Sequence, residues 1–300
     1  TIDDIKEYLD IVALAIAADI VALTGENRTL CYYGLEQINK SPRSGLKAII
    51  DTLEKETITI NELSFYLGPR INAAGRMDSG SLAVELLTEE DLEKAIGLAE
   101  KLNQLNIERR MLDKETTQQA IDQIKKNKDE ETSATVVYNP DWHKGIIGIA
   151  ASKLIETYYR PTIVFTFSND LLVGSARSVN GYNVHTAIEK CKEFVVEFGG
   201  HKYAAGIKIN KTQLKNFKTK FQEVVSSTID KSMTSKKVDL EGEIELEEIT
   251  PKFYRILKQF APFGPGNKTP IFSAKNLRDT GYAKVVGKDN THLKFNLTQQ

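Results

Sequence analysis

Hydrophobic and polar positions follow three rhythms along the chain. Residues 5–23 are almost continuously apolar, broken by Asp10 and Asp19, and the small-residue run 11–18 within them suits a buried helix or a strand-helix edge. Thr24-Gly25-Glu26-Asn27-Arg28 reads as a turn. Short helices are predicted over 29–39 and 46–56, with Asn61 as the cap of the next one and a break at Gly68-Pro69. A helical period dominates from 89 to about 128: Leu98, Leu102, Leu105, Arg109, Leu112 and Thr116 share one face, as a long helix bridging two domains requires. Strand, loop, helix and strand then follow at 135–138, 139–145, 146–159 and 162–166, a βαβ rhythm. A strand over 171–178 and a helix over 184–198 complete that unit. After a Ser/Thr-rich linker at 226–235, residues 238–249 alternate apolar with acidic positions, the pattern of a half-exposed strand.

Composition narrows the class. Hydrophobic residues make up 41% and charged residues 27% of 300 positions, enough for a proper core and about two domains, or three if one is small. Net charge is −1, so any basic footprint must be local. Cys31 and Cys191 are the only cysteines, which excludes a disulfide framework or a cysteine zinc site and fits a reducing, cytoplasmic setting. No stretch reaches the roughly 18 apolar residues that read as a membrane helix, and no signal peptide is evident. After residue 250 nine Lys or Arg face two Asp, with Phe260, Phe263, Phe272, Tyr282 and Phe295 interleaved. Such a segment suits a small single-strand-binding barrel in which bases stack and phosphates are neutralised. Each aromatic has the alternative of filling the barrel's core.

The candidate chemistry gathers at glycine-rich and arginine-bearing turns. Phe198-Gly199-Gly200-His201-Lys202-Tyr203-Ala204-Ala205-Gly206 is poor material for a core strand or an ordinary helix. Missing Cβ atoms, open backbone N–H groups, an imidazole and a cation suit a phosphate, although a tight turn with a solvated His and Lys explains the same letters. Gly68-Pro69-Arg70-Ile71-Asn72-Ala73-Ala74-Gly75-Arg76 holds two arginines and an amide among small residues. Arg70 and Arg76 could clamp phosphate oxygens bidentately, with Asn72 adding a polar contact. His143 precedes a helix start; Ser175, Arg177 and Ser178 end a strand. Asp19, flanked by core-type residues, is either a capping carboxylate or one held by a metal.

These motifs together resemble the DHH superfamily of phosphoesterases, most closely its RecJ branch of single-strand-specific DNA exonucleases, across essentially the whole chain. Leu9-Asp10-Ile11-Val12-Ala13-Leu14 through Ala18-Asp19-Ile20-Val21 is similar to the family's fourth motif. Residues 68–76 resemble the arginine-rich segment closing the DHH domain. Asp141-Trp142-His143-Lys144-Gly145-Ile146-Ile147-Gly148, Ala176-Arg177-Ser178 and Gly199-Gly200-His201 resemble the DHH-associated domain, and Ala261-Pro262-Phe263-Gly264-Pro265-Gly266-Asn267 a turn of RecJ proteins.

The resemblance implies an α/β fold in four parts. These are the C-terminal part of a DHH domain (1–88), a connecting helix (89–130), a DHH-associated substrate-binding domain (131–230) and an OB-like barrel (237–300), incomplete where the chain stops after His292. It implies a manganese- or magnesium-dependent hydrolase removing nucleotides from the 5′ end of single-stranded DNA in repair and recombination. A single-strand-binding protein and a DNA helicase are the partners it implies. Asp19 would be a metal ligand and catalytic, with Asp10 structural. Arg70, Asn72, Arg76, His143, Ser175, Arg177, Ser178, Gly199, Gly200 and His201 would bind substrate. The paired aspartates of the family's first motif and the Asp-His-His of its third are absent from the sequence. The chain is therefore expected to be a C-terminal portion that binds DNA and hydrolyses little. A non-catalytic single-strand-binding protein, or a phosphodiesterase of short oligonucleotides or cyclic dinucleotides, are the alternative readings.

Overall fold

The computed structural model describes residues 6–287 and 289–299; Thr1, Ile5 and Lys288 of the sequence reading lie outside them. The chain divides into two compact units, residues 1–69, 89–92 and 238–300, and residues 70–88 with 93–237.

In the first unit, α1 (Leu9–Ala18), α2 (Gly25–Lys40) and α3 (Ser44–Ile50) pack through Leu14, Leu23, Ile38, Leu46 and Ile49. Asp10 is structural, as the resemblance implied. It is buried and takes Arg43 in a two-pronged ion pair, Nε to Oδ2 and Nη2 to Oδ1, both at 2.8 Å. α1 ends with Asp19 as its C-cap and the amide of Val21 donating to the carbonyl of Ile16. Ile20 between them takes φ +55°, where glycine is usual. The core-like setting expected around Asp19 is not found: Asp19 is exposed, and Ile20 and Val21 are 70% and 39% exposed because they follow the helix end into solvent.

The next helix starts at α4 (Ile60–Glu62), and its cap is Thr59 rather than Asn61. Thr59 and Glu62 form a reciprocal capping box, and Asn61 lies within it, its backbone amide donating to Thr59 Oγ1. Gly68-Pro69 does not break the chain either. A π-helical turn (Leu63–Leu67) leads straight into α5 (Gly68–Met77), with the amide of Gly68 donating to Leu63, five residues back. The wider turn takes the preceding carbonyls out of the way of the Pro69 ring.

The C-terminal part of this unit holds α11 (Pro251–Lys258) and three two-stranded ladders: β6 (Gly242–Glu243) with β7 (Phe272–Ser273), β8 (Leu277–Asp279) with β11 (Leu297–Gln299), and β9 (Lys284–Val286) with β10 (His292–Lys294). The strand expected over 238–249 is reduced to β6 plus a 3-10 turn at Leu246–Glu248, because Glu245 and Glu248 cap that turn on each other. Arg28 fastens α11's end to α2, its Nη2 donating to the carbonyls of Gln259, Phe260 and Ala261 at 3.4, 3.0 and 3.3 Å. The amide of Leu23 donates to Pro265.

The second unit is built on a five-stranded sheet, ordered β1-β2-β3-β5-β4. β1 (Thr135–Tyr138) and β2 (Thr162–Ser168) are parallel and joined by α8 (Ile147–Tyr158), the expected βαβ crossover. β2 turns into antiparallel β3 (Leu171–Arg177) through Asn169-Asp170, both at positive φ, as a two-residue hairpin requires. The helix expected over 184–198 stops early. α9 spans only Val184–Glu189, and the glycine-rich stretch is β4 (Glu197–His201), paired with β5 (Ala204–Ile209). An edge strand needs little side-chain packing, so glycines are tolerated there, with Phe198 as its one contribution to the core. α10 (Leu214–Thr228) runs into the supposed linker, whose Met233 packs against the same core.

Two apolar layers sandwich this sheet unequally. One face meets α9 and α10 through Phe165, Ile207, Phe217 and Phe221. The other meets α8 and the long α7 (Leu92–Lys126), which follows α6 (Ser81–Thr88), at β1 and β2 through Val137, Val164, Ile147, Leu154 and Ile124, and α8 also lies against β3. Beyond β3 that second face is left open. α7's buried stripe is Ala95, Ala99, Leu102, Asn106, Asp113, Thr116, Ala120 and Ile124. It is turned from the predicted leucine face, of which only Leu102 and Thr116 are fully buried. Its polar middle points to the candidate site.

Candidate nucleic-acid interface

Strand register places the site. Ser175 pairs with Gly206, which pairs with Gly199; Arg177 pairs with Ala204, which pairs with His201. Directly paired residues share a face, so these six form two rows that run from β3, beside the start of α8, out to the uncovered part of β5 and β4. A Cβ at Gly199 or Gly206 would meet nothing within 4 Å. The result is a flat floor walled by a guanidinium, a hydroxyl and an imidazole. Gly200 alternates to the opposite side, where a Cβ would lie 2.3 Å from the carbonyl oxygen of Ala204 and φ is +145°. The missing side chain at Gly200 thus lets β4 lie close on β5.

Donors on this floor are aimed by their neighbours. Arg177 donates from Nη1 to Ser175 Oγ at 3.0 Å and to its neighbour's carbonyl, Ala176 O, at 2.8 Å. Ser175 thereby accepts through Oγ and keeps its own proton for a ligand. His201 Nδ1 accepts the amide of Tyr203 at 3.3 Å, and His143 Nδ1 accepts that of Gly145 at 3.1 Å. Each imidazole is thus held with its proton on Nε2, a donor for an oxyanion. The Ser178 hydroxyl donates to the carbonyl of Tyr182 at 3.0 Å.

Gly148, at the start of α8, lets the helix N-terminus close over Arg177. A Cβ there would stand 2.9 Å from Arg177 Nη2 and 3.0 Å from Ser175 Oγ. The 141–146 loop reaches the end of α5, where Arg76 Nη1 donates to Gly145 O at 3.4 Å. Trp142 anchors that loop, its Nε1 donating to Gln119 on α7 at 2.8 Å. Burial, then the charge of Arg76, pushes the pKa of Arg177 down. Arg109 is lowered by burial and by Arg76 and Arg110 against the opposing pull of Asp113, and Arg70 by burial and Arg110. Guanidinium groups crowded together are stabilised by an added anion.

The structure therefore brings Arg76, His143, Ser175, Arg177, Gly199 and His201 into one unit, with Arg70 and Asn72 on the same helix as Arg76. Arg109 and Arg110 were missed because the helical period of α7 explains them as ordinary positions. The adjacent Glu-Arg-Arg in a stripe that also carries Asn106 and Asp113 was the available signal. Asp19 belongs to the other unit. Among the described residues no group of three His, Cys, Asp or Glu could hold a metal ion, and a single exposed carboxylate is too poor a donor set for manganese or magnesium.

The comparisons agree with this architecture. The DHHA1 domain model matches residues 131–227 and the RecJ OB domain model residues 240–300. The single-stranded-DNA-specific exonuclease RecJ of Escherichia coli (strain K12) is 32% identical over 282 residues, 90% of this chain and 49% of that protein. The Bacillus subtilis (strain 168) RecJ is also 32% identical, over 98% of this chain and 38% of its own length. The chain thus spans about half, or less, of the curated relatives it matches. Among solved structures, RecJ of Thermus thermophilus in complex with Mn2+ superimposes with a TM-score of 0.87 at 29% identity, covering 97% of this chain and 43% of that one. A Mg2+ complex of the same protein gives the same score. With a DHHA1 domain, a RecJ OB domain and these relatives along nearly its full length, the chain matches RecJ-type exonucleases.

Proposed function

We propose that this chain supplies the substrate grip of a metal-dependent exonuclease that removes nucleotides from the 5′ end of single-stranded DNA. The observation that carries this reading is the open floor of Gly199 and Gly206 walled by Ser175, Arg177 and His201. It is a surface without side chains at Gly199 and Gly206, bordered by three donors. Arg177 would take two phosphate oxygens, Ser175 and the His201 Nε2–H one each, and Arg76 would neutralise remaining charge. Hydrogen bonds of this kind orient the strand end; they do not break it.

The divalent metal that the relatives bind would supply the activated water. The residues present do not fit a two-metal site, so no hydrolytic step is derived from them; Asp19 would be one ligand of a set completed by other residues. In repair and recombination, such a protein would act in the cytoplasm on strands opened by a helicase and covered by a single-strand-binding protein. Those partners rest on the family resemblance alone. No helix among the described residues is long and apolar enough to cross a membrane.

A second reading, a single-strand-binding protein without chemistry, is favoured by the poor donor set that Asp19 offers a metal. One experiment tests both: incubation of the chain with 5′-labelled and 3′-labelled single-stranded DNA, with and without Mn2+, reading both binding and nucleotide release. Binding with no release is what a chain that carries the grip of a nuclease without its metal donor set should give. Metal-dependent release from the 5′ end would remove the clamp without chemistry and show a metal site assembled from further residues, and no binding at all removes both readings.

A further inference from the structure

The loop that carries His143 is held from α7 by two glutamines that lie outside the phosphate floor. Gln119 and Gln123 are four residues apart and so share a face. Gln123 meets the outer edge of β1 as a neighbouring strand would. Its Nε2 donates to the carbonyl of Tyr138 at 3.0 Å, and its Oε1 accepts the Tyr138 amide at 3.1 Å. Gln119 holds the residues that follow. Its Oε1 accepts the indole Nε1–H of Trp142 at 2.8 Å and Asn139 Nδ2 at 3.5 Å, while its Nε2 donates to Glu115 Oε1 at 3.0 Å. Thr166 on β2 holds the same tryptophan by its backbone, donating from Oγ1 to the Trp142 carbonyl at 2.6 Å. The loop is thus fixed at residues 138, 139 and 142, and the next residue, His143, is exposed. Further along, Gly148 lies over Arg177 and Ser175.

An indole N–H only donates, and an ionised carboxylate only accepts. Between Trp142 and Glu115 the Gln119 amide therefore has one orientation, oxygen toward the ring and NH2 toward the carboxylate. Trp142 is 6% exposed and packs with Val137, Ile147 and Val164, so apolar burial alone would keep the ring in the core. Gln119 is exposed, so water could take over its bonds and they add little to folding. What they add is direction: they set the plane of the ring and, through it, the backbone that presents His143. We propose that Gln119, oriented by Glu115, is a positioning residue for His143 and acts on a bound phosphate only through the loop. This inference rests on the reading of the Ser175–Arg177 floor as a phosphate seat with His143 among its donors. The same geometry makes Trp142, the chain's one tryptophan, a reporter of the loop.

The test uses the whole chain and 5′-phosphorylated tetrathymidylate, followed in one titration by the anisotropy of a 3′ label and by Trp142 emission. In the unaltered chain both signals should reach half-saturation together. Gln119→Leu is expected to keep the melting temperature, shift the Trp142 emission of the free chain, and lose about fivefold in affinity, the scale of one hydrogen bond. The double exchange Glu115→Gln with Gln119→Glu keeps a donor at the first position and an acceptor at the second. It should bring affinity back to within about twofold of the unaltered chain. In a His143→Ala background Gln119→Leu should cost nothing further, since a residue that acts through another has no effect once the other is gone. Glu115→Ala, at a site that only orients the amide, gives the same reading should Gln119→Leu not fold. An undiminished loss in the His143→Ala background would mean that Gln119 acts by another route. A lowered melting temperature with affinity unchanged would make its role structural, and Gln119→Leu or His143→Ala binding as before would leave nothing to position; each of these overturns the proposal. If Arg177→Ala binds as before, the floor itself is refuted; if Arg177→Ala binds weakly and Gln119→Leu does not, the positioning role falls alone.

Discussion

At the scale of single residues, the site makes opposite demands on its glycines. Gly206 has open space where a Cβ would be and lies mid-strand, so Gly206→Val should keep or raise the melting temperature, given the β-branched preference for strands. The same change would cover the floor and abolish binding of single-stranded DNA, which titration by fluorescence anisotropy would show. Gly200→Ala meets a backbone carbonyl at 2.3 Å and a positive φ, and should cost roughly 2 kcal/mol or more of stability. A chemical denaturation curve would measure it. Arg177→Ala should weaken binding by roughly 1–3 kcal/mol, the loss of a charged phosphate contact, while Ser178→Ala, whose hydroxyl serves Tyr182, should alter the loop and not the affinity. If Ser178→Ala weakened binding as much as Arg177→Ala, the division between them would be wrong.

At the scale of elements, the site depends on segments held by a few buried polar groups. Arg160 shows this best. Its guanidinium donates to the carbonyls of Asp129, Glu130 and Thr132 and to Thr135 Oγ1, all within 2.7 Å, and stacks on Tyr158 at 4.9 Å. It stops α8 and starts β1 at once, so Arg160→Ala leaves several acceptors without a donor and should cost about 3 kcal/mol. The urea midpoint is the readout. α1 offers the converse case. Ile20 occupies the left-handed position after the helix, where a β-branched residue is strained. Relief of roughly 1–2 kcal/mol, offset by the flexibility a glycine adds to the unfolded chain, predicts that Ile20→Gly is neutral or mildly stabilising. A lower melting temperature would show that the exposed Ile20 side chain has packing the chain needs.

At the scale of the molecule, charge and aromatic surface are concentrated where net composition hides them. A chain of net charge −1 still carries a guanidinium cluster in one unit and nine cations after residue 250 in the other. In the latter, Phe260, Tyr282 and Phe295 are 53%, 68% and 51% exposed, which removes the core-filling explanation for these three. Stacking on single-stranded bases contributes roughly 1–3 kcal/mol per base. The triple change of these residues to Ala should therefore weaken binding of long oligonucleotides by at least tenfold without lowering the melting temperature. A drop in melting temperature with affinity unchanged would return them to a structural role.

The sequence alone determined the βαβ unit and the long helix, because helical period, strand runs and hairpin letters act over a few residues. It also offered Arg76, His143, Ser175, Arg177, Gly199 and His201 as candidates, and the structure places them in one unit. Only the tertiary structure decided that Gly199-Gly200-His201 is an edge strand, since its pairing with β5 is non-local and overrides the poor strand propensity of glycine. Only register could separate Gly199, facing the floor, from Gly200, where a side chain would meet Ala204 and Ala205. The same holds for Arg109 and Arg110: their spacing fits any amphipathic helix, and what singles them out is the approach of α5 across the fold.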